Sequence, residues 1–299
     1  MTFKQKSEAL LFKTISFTGI CLPRFLCVFK GRALGLLLYL FDKKHRNTAL
    51  KNLDLAFGAN KTSGELKKIA RSSFKHFGEF FFSMIHFSSA DSSQRLKFIK
   101  VEGEDFLDGA LKQNKGAVLF SAHYGSWEIA PSFLALRAPL NIVVRPLDNP
   151  AIERMLNKIR LSVGAKVISK FNASKQILRA LSNNEMIAIL MDQNVLRSQA
   201  VFVDFFGKKA ATTPGPAIFH LRTGAPLIPV FCYPVGRTEY LIKIKRPLNF
   251  APGESMEEDI LKITQVCTGI IEEQIKEEPR FWLWFHDRWR SRPHEPETR

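Results

Sequence analysis

The residues best equipped for chemistry in this 299-residue chain follow one apolar run. Gly116–Ala122 (GAVLFSA) reads as a buried strand, and it leads into His123-Tyr124-Gly125-Ser126-Trp127-Glu128. A histidine leaving a strand in a short glycine turn can serve as a general base. It needs a carboxylate on one ring nitrogen, to fix the tautomer and stabilise the imidazolium, and a free second nitrogen. Ser126 suits the N-cap of a helix starting at Trp127, which sets Glu128 in the first helical turn, where the dipole favours a carboxylate. The spacing therefore predicts that Glu128 folds back onto His123. A histidine before a glycine turn can equally be structural, and the residues alone leave both readings open.

Competing chemistries lack their signatures. No G-x-S-x-G elbow is present, since Ser126 lies in Y-G-S-W-E. There is no H-E-x-x-H, no G-x-x-x-x-G-K-[ST], and no G-x-G-x-x-G after a strand. A His–carboxylate pair without a protein nucleophile points to a substrate hydroxyl as nucleophile, hence direct transfer to an acceptor. The four cysteines, Cys21, Cys27, Cys232 and Cys267, form no C-x-x-C pair. They read as buried thiols of a reduced intracellular protein, with neither disulfides nor a metal site, and no cofactor is called for.

The elements that must position His123 alternate. Asn141–Arg145, Ala165–Ser169, Met186–Met191, Pro226–Tyr233 and Tyr240–Lys245 read as strands, and Val201–Phe206 as an extended piece. Between them Trp127–Leu136, Ile152–Val163, Lys175–Leu181 and Pro214–Arg222 read as helices, and Glu254–Ile275 closes the chain with a long one. Such alternation predicts an α/β fold, a mostly parallel sheet flanked by helices, with ligands outside the C-terminal strand ends.

The first ninety residues differ. Residues 1–100 hold 18 Lys and Arg against 6 Asp and Glu, a net of +12 out of +16 for the chain. Ala9–Phe41 is apolar but broken by Lys13, Arg24, Lys30, Arg32 and Pro23, and its longest uncharged stretch, Thr14–Pro23, is ten residues. A spanning helix needs about 20 apolar positions, so two interfacial helices with snorkelling cations fit better than a full span. The alternative is that they are the first buried helices of a soluble domain. Ser63 opens a further helix in which Phe74, Phe77 and Phe81 recur at helical spacing and Phe80 and Phe82 widen the face. That face is either core or the wall of an acyl-chain site. The polar stretch Ser88–Ser93 suggests a boundary, giving a basic, membrane-associating helical region over 1–90 and the α/β domain over 91–299.

Eight blocks occur in an order that resembles the bacterial lipid A biosynthesis acyltransferases, the late lauroyl and myristoyl transferases. They are Arg46–Gly58, H-x4-E, V-V-R-P-L-D-N-P (Val143–Pro150), M-D-Q (Met191–Gln193), V-F-V-D-F-F-G (Val201–Gly207), T-P-G-P-A (Thr213–Ala217), Arg222–Phe231 and Pro279–Pro293. The resemblance covers roughly residues 30–293 and implies a glycerolipid-acyltransferase-like fold. It implies that His123 and Glu128 are the catalytic dyad: His123 deprotonates a hydroxyl of the lipid acceptor, which attacks an acyl thioester. It implies that Arg145, at the end of the next strand, binds phosphate or steadies the oxyanion, with a surface ion pair as the alternative. Asp192 and Gln193 are implied to orient Arg145 or the acceptor, with a buried turn-capping aspartate as the alternative. The F-F-G turn and T-P-G-P-A are implied to shape an acyl tunnel. The N-terminus is more charged and broken than the single spanning helix of some members.

The implied reaction moves a fatty acyl chain from acyl carrier protein or coenzyme A to a lipid A precursor, an anionic lipid, at the cytoplasmic face of the inner membrane. Alternatives are O-acylation of another bacterial glycolipid or aminolipid, and a non-catalytic protein binding membrane or nucleic acid. No nucleic-acid motif accompanies the basic charge. The tail residues Trp282, Trp284, Phe285 and Trp289, interleaved with Arg280, Arg288, Arg290 and Arg292, read either as a headgroup-depth cluster or as Trp–Arg stacking against the domain.

Overall fold

A computed structural model of the chain describes residues 2–236, 239–251 and 253–293. Four helices come first: α1 (Phe3–Cys21), α2 (Arg24–Phe41), α3 (Lys43–Phe57) and α4 (Ser63–Ser89). Each start has a local cause. Thr2 with Gln5, and Thr62 with Glu65, close capping boxes, and Asp42 caps α3. Pro23, which lacks an N–H, separates α1 from α2. The helices α2 and α4 cross backbone to backbone at glycines. A Cβ on Gly31 would lie 2.6 Å from the Cα of Glu79, and one on Gly35 or Gly78 would collide with a carbonyl of the facing helix. Among the described residues, no helix is long and apolar enough to cross a membrane. The outer faces of α1 and α2 nevertheless leave Leu10, Leu11, Phe17, Phe25, Phe29 and Phe41 exposed. Cys21, expected to be buried, is exposed on α1 because it sits at the helix end; the other three cysteines are buried.

The rest alternates: α5 (Ser92–Leu96), β1 (Ile99–Glu102), α6 (Glu104–Leu111), β2 (Ala117–Ser121), α7 (Pro131–Leu134), β3 (Leu140–Val144), α8 (Pro150–Ser162), β4 (Ala165–Ser169), α9 (Ser174–Ser182) and β5 (Met186–Leu190). A hairpin of β6 (Val201–Phe205) and β7 (Lys208–Thr212) follows, then α10 (Gly215–Thr223), β8 (Leu227–Val235), β9 (Glu239–Ile244) and α11 (Met256–Glu277). Seven strands form one sheet in the order β1-β9-β8-β2-β5-β3-β4, in which only β8 and β9 run antiparallel. The mostly parallel sheet flanked by helices is the expected α/β class.

Both faces of the sheet are covered, which is why its strands read as continuous apolar runs rather than alternating ones. Along β2, Val118 and Phe120 face a core shared with α3, α4, α9, α10 and α11, while Ala117 and Leu119 face a second core under α6 and α7. The first core runs across residue 90, because Leu53, Phe57, Leu66 and Phe74 pack with the sheet.

One local expectation differs from the structure. The helix predicted over Trp127–Leu136 survives only as α7, with residues 126–130 in turns. Val201–Phe206 is one arm of a hairpin whose two-residue turn, Phe206-Gly207, has φ of 52° and 68°. Two positive φ values are those of the type I′ turn that matches strand twist. The amide of Phe206 is held by Glu272 at 2.6 Å.

Candidate active site

The parallel register of β2 and β5 builds the site. Ala117 pairs with Met186 and Ser121 with Leu190, a constant offset of 69 residues. The backbone bond from Met191 to the Ser121 carbonyl (3.1 Å) continues the ladder. Two residues beyond the strand end, the same offset sets His123 opposite Asp192. Their side chains meet, with Nδ1 of His123 2.8 Å from Oδ1 of Asp192. The His123 amide also donates to Oδ2 at 3.0 Å, and the Trp282 indole donates to the same oxygen at 2.8 Å.

Three donors converge on one buried carboxylate. Burial alone would raise the Asp192 pKa, but the charge of His123 and the bonds from His123 and Trp282 outweigh it and hold the group below the usual carboxylate range. An ionised Asp192 only accepts, so Nδ1 of His123 carries its proton and Nε2 is left as the basic nitrogen. Nε2 lies 3.3 Å from the Gln193 amide nitrogen, and 22% of the His123 side chain remains open. This is the geometry of a general base, and the orienting carboxylate is Asp192.

The turn after His123 is clamped from several sides. Gly125 has φ of 61°, and a Cβ there would collide with the Cys232 carbonyl, so only glycine fits. Its amide donates to Phe281 (2.8 Å), Ser126 donates to Cys232 (2.6 Å), and Leu283 donates to the His123 carbonyl (3.2 Å). From α4, Nε2 of His76 donates to the Gly125 carbonyl at 3.1 Å. Burial drives the His76 pKa down to about 4, so this histidine is neutral at ordinary pH.

Glu128 stands elsewhere. Its carboxylate is gripped by Arg160 of α8, with Oε1 2.5 Å from Nη2 and Oε2 3.2 Å from Nε. The expected fold-back onto His123 fails for two reasons. Residues 126–130 are turns rather than a helix, so Glu128 is not in a first helical turn, and Nδ1 is already bonded to Asp192. Arg160 is nearly as buried as Glu128 and needs a counter-ion. Arg145 follows β3 with 67% of its side chain exposed, and it faces Asp148 at 3.4 Å, the geometry of the surface ion pair given as the alternative reading. Asp192 and Gln193 accordingly serve His123 rather than Arg145.

Aromatic side chains flank the base. The Trp127 ring meets His123 edge-on at 5.2 Å, and Phe80 and Phe77 of α4 pack on Trp127 at 4.3 and 5.8 Å. The tail is no headgroup cluster, because Trp282, Trp284, Trp289 and Arg288 are buried. They pack on the F-F-G turn, with Phe205 5.5 Å from Trp282, and Arg288 lies 5.3 Å over Phe205 while bonding Ala211 and Thr212. Burial lowers the Arg288 pKa to about 10. Asn52 and Ser73 tie this strap down by bonding the carbonyls of Trp284, His286 and Trp282. Trp282 and Arg160 are the site residues that sequence reasoning missed. The aromatic tail was a signal for the first, and nothing but helix membership marked the second.

Comparison with known proteins places the chain in a family. A family model described as bacterial lipid A biosynthesis acyltransferase matches residues 8–291. The chain is 27% identical over 277 residues to a lipid A biosynthesis palmitoleoyltransferase of Escherichia coli, covering 91% of this chain and 87% of that protein. It is 24% identical to the lauroyltransferase of the same organism, over 88% and 85% of the two chains. A phosphatidylinositol mannoside acyltransferase of Mycobacterium tuberculosis is 28% identical over 63% of this chain and 59% of its own. The chain belongs to the bacterial lipid A biosynthesis acyltransferase family, and it is an acyltransferase.

Proposed function

We propose that the protein transfers a fatty acyl chain from an acyl thioester, borne by acyl carrier protein or coenzyme A, to a hydroxyl of a lipid A precursor. The observation that carries this reading is the oriented base: Nδ1 of His123 bound to Asp192, with Nε2 facing the Gln193 amide on a side chain that is 22% exposed. Nε2 takes the hydroxyl proton as the oxygen attacks the thioester carbon. The resulting oxyanion collapses, the carbon–sulfur bond breaks, and the imidazolium returns its proton to the leaving thiolate. Asp192 stabilises the imidazolium in between. The Gln193 amide, displaced from Nε2 by the incoming hydroxyl, is free to donate to the oxyanion. The Trp127 and Phe80 surface offers the acyl chain an apolar bed. Within the H-x4-E dyad, His123 is the catalytic residue, and Glu128 holds Arg160 in a buried ion pair that fixes the fold beside the site.

Such substrates partition into membranes. The exposed apolar faces of α1 and α2, beside the basic first hundred residues, suit an anionic surface, where each Lys or Arg is worth about 1 kcal/mol. We place the protein at the cytoplasmic face of the inner membrane on that ground. A second reading, acylation of another glycolipid, is favoured by the likeness to the mannoside acyltransferase. Mass spectrometry of membrane lipids from cells with the wild-type gene, the His123→Ala gene or none separates them. A lipid A species heavier by one acyl chain, present only with the wild type, is expected. Identical lipid profiles in all three would defeat acyl transfer, and a gained chain on a different glycolipid would select the second reading.

A further inference from the structure

A hollow of about 360 Å³, not lined by His123, opens where α2, α4, the turn after β8 and the C-terminal strap meet. Its volume is that of a small-molecule site, for which about 300–1,000 Å³ is usual. Three cations line it, Arg32, Lys75 and Arg280, against one carboxylate, Glu79. Arg32 is paired with that carboxylate at 2.7 Å, and Arg280 reaches Glu278 at 3.1 Å on the solvent side. Lys75 has no ion-pair partner among the described residues. Lys75 is thus the charge left uncompensated in a cavity that two guanidinium groups also line, and phosphate oxygens are the natural acceptors of Arg and Lys donors. Ser72 adds a hydroxyl, and Phe281 and Pro234 supply apolar walls.

We propose that this hollow binds a phosphate ester group of one of the protein's substrates. The phosphate sits between Lys75 and Arg280, with the Arg32–Glu79 pair as the side wall. Naming a substrate as the source rests on the acyl-transfer reading; binding of phosphate itself does not. His76 lines the same hollow and bonds the turn two residues beyond His123, so the occupied pocket adjoins the reacting centre without overlapping it.

Isothermal titration of the full chain in detergent micelles with inorganic pyrophosphate tests the site. Saturable binding of one equivalent is expected, weakened about tenfold or more in Lys75→Ala/Arg280→Ala. Lys75→Arg should keep it, as should the charge-matched Lys61→Ala/Lys112→Ala, neither of which lines the hollow. No saturable binding, or an equal loss in the control, would overturn the proposal. Coenzyme A and a phosphorylated glycolipid, each beside its dephosphorylated form, then compete for the pyrophosphate. Phosphate-dependent competition by coenzyme A assigns the donor, and by the glycolipid the acceptor; competition by neither overturns the substrate role. His123→Ala should bind pyrophosphate as the wild type does, so failure of this site and failure of the acyl-transfer reading are separately visible.

Discussion

Asp192 and Glu128 are two carboxylates on the same shoulder of the sheet, and their partners divide their roles. Asp192 is buried, and among the described residues no guanidinium or ammonium bonds it; its bonds come from His123 and Trp282. Glu128 is held by both arms of Arg160. A carboxylate already neutralised by arginine adds little to an imidazolium, whereas one whose nearest cation would be that imidazolium adds much. The difference teaches that position along the chain, four residues from the histidine, says less about a proton relay than the register of two neighbouring strands.

Six variants would break or sharpen the contrast. His123→Ala should lower kcat most, by about 10³- to 10⁴-fold, with folding unchanged by circular dichroism; near-normal turnover would end the assignment. Asp192→Asn comes next, at about 10²-fold or more, since the asparagine no longer stabilises the imidazolium. It should also change acid stability. The folded pKa of Asp192 lies below its unfolded value of about 3.9, so its ionised form stabilises the fold above that pH and the gain is lost as pH falls toward the folded pKa. The variant should therefore lose less stability than the wild type between neutral pH and pH about 3, read from urea unfolding.

Glu128→Ala should act mainly on stability, by about 3–5 kcal/mol, because it strands the Arg160 charge. The paired Glu128→Leu/Arg160→Met should recover most of that and keep turnover well above Asp192→Asn. If instead Glu128→Gln matched Asp192→Asn in kcat with normal unfolding, the two carboxylates would exchange roles. Smallest is Arg145→Ala, expected within about twofold of wild type in kcat/KM, since an exposed ion pair contributes only about 0–1 kcal/mol.

Much of the scaffold was legible because strands buried on both faces are apolar throughout. GAVLFSA and MIAILM marked two of them, and each ends in a polar residue, His123 or Asp192. The adjacency of β2 and β5 was not legible, since β3 and β4 intervene in the chain and lie on the far side of β5. Nor was the loss of the helix at Trp127. Propensity and a good N-cap favoured it, but Gly125 and Ser126 are bonded to the strap and to β8, and that tertiary demand won. The direction of Arg145 was not legible, because a strand end fixes where a backbone stops, not where a long side chain turns. Of the two readings of the aromatic–basic tail, packing against the domain holds for Trp282, whose indole is a buried donor.

The glycine crossing of α2 and α4 bears on how force and position pass through the molecule. With Gly31, Gly35 and Gly78 each seated against the facing backbone, α2 has one height and one azimuth on α4. Through His76, α4 in turn grips the turn that follows His123. Whatever surface the outer side of α2 rests on is thereby held at a fixed distance from the reacting nitrogen. The N-terminal helices are a strut rather than a tether.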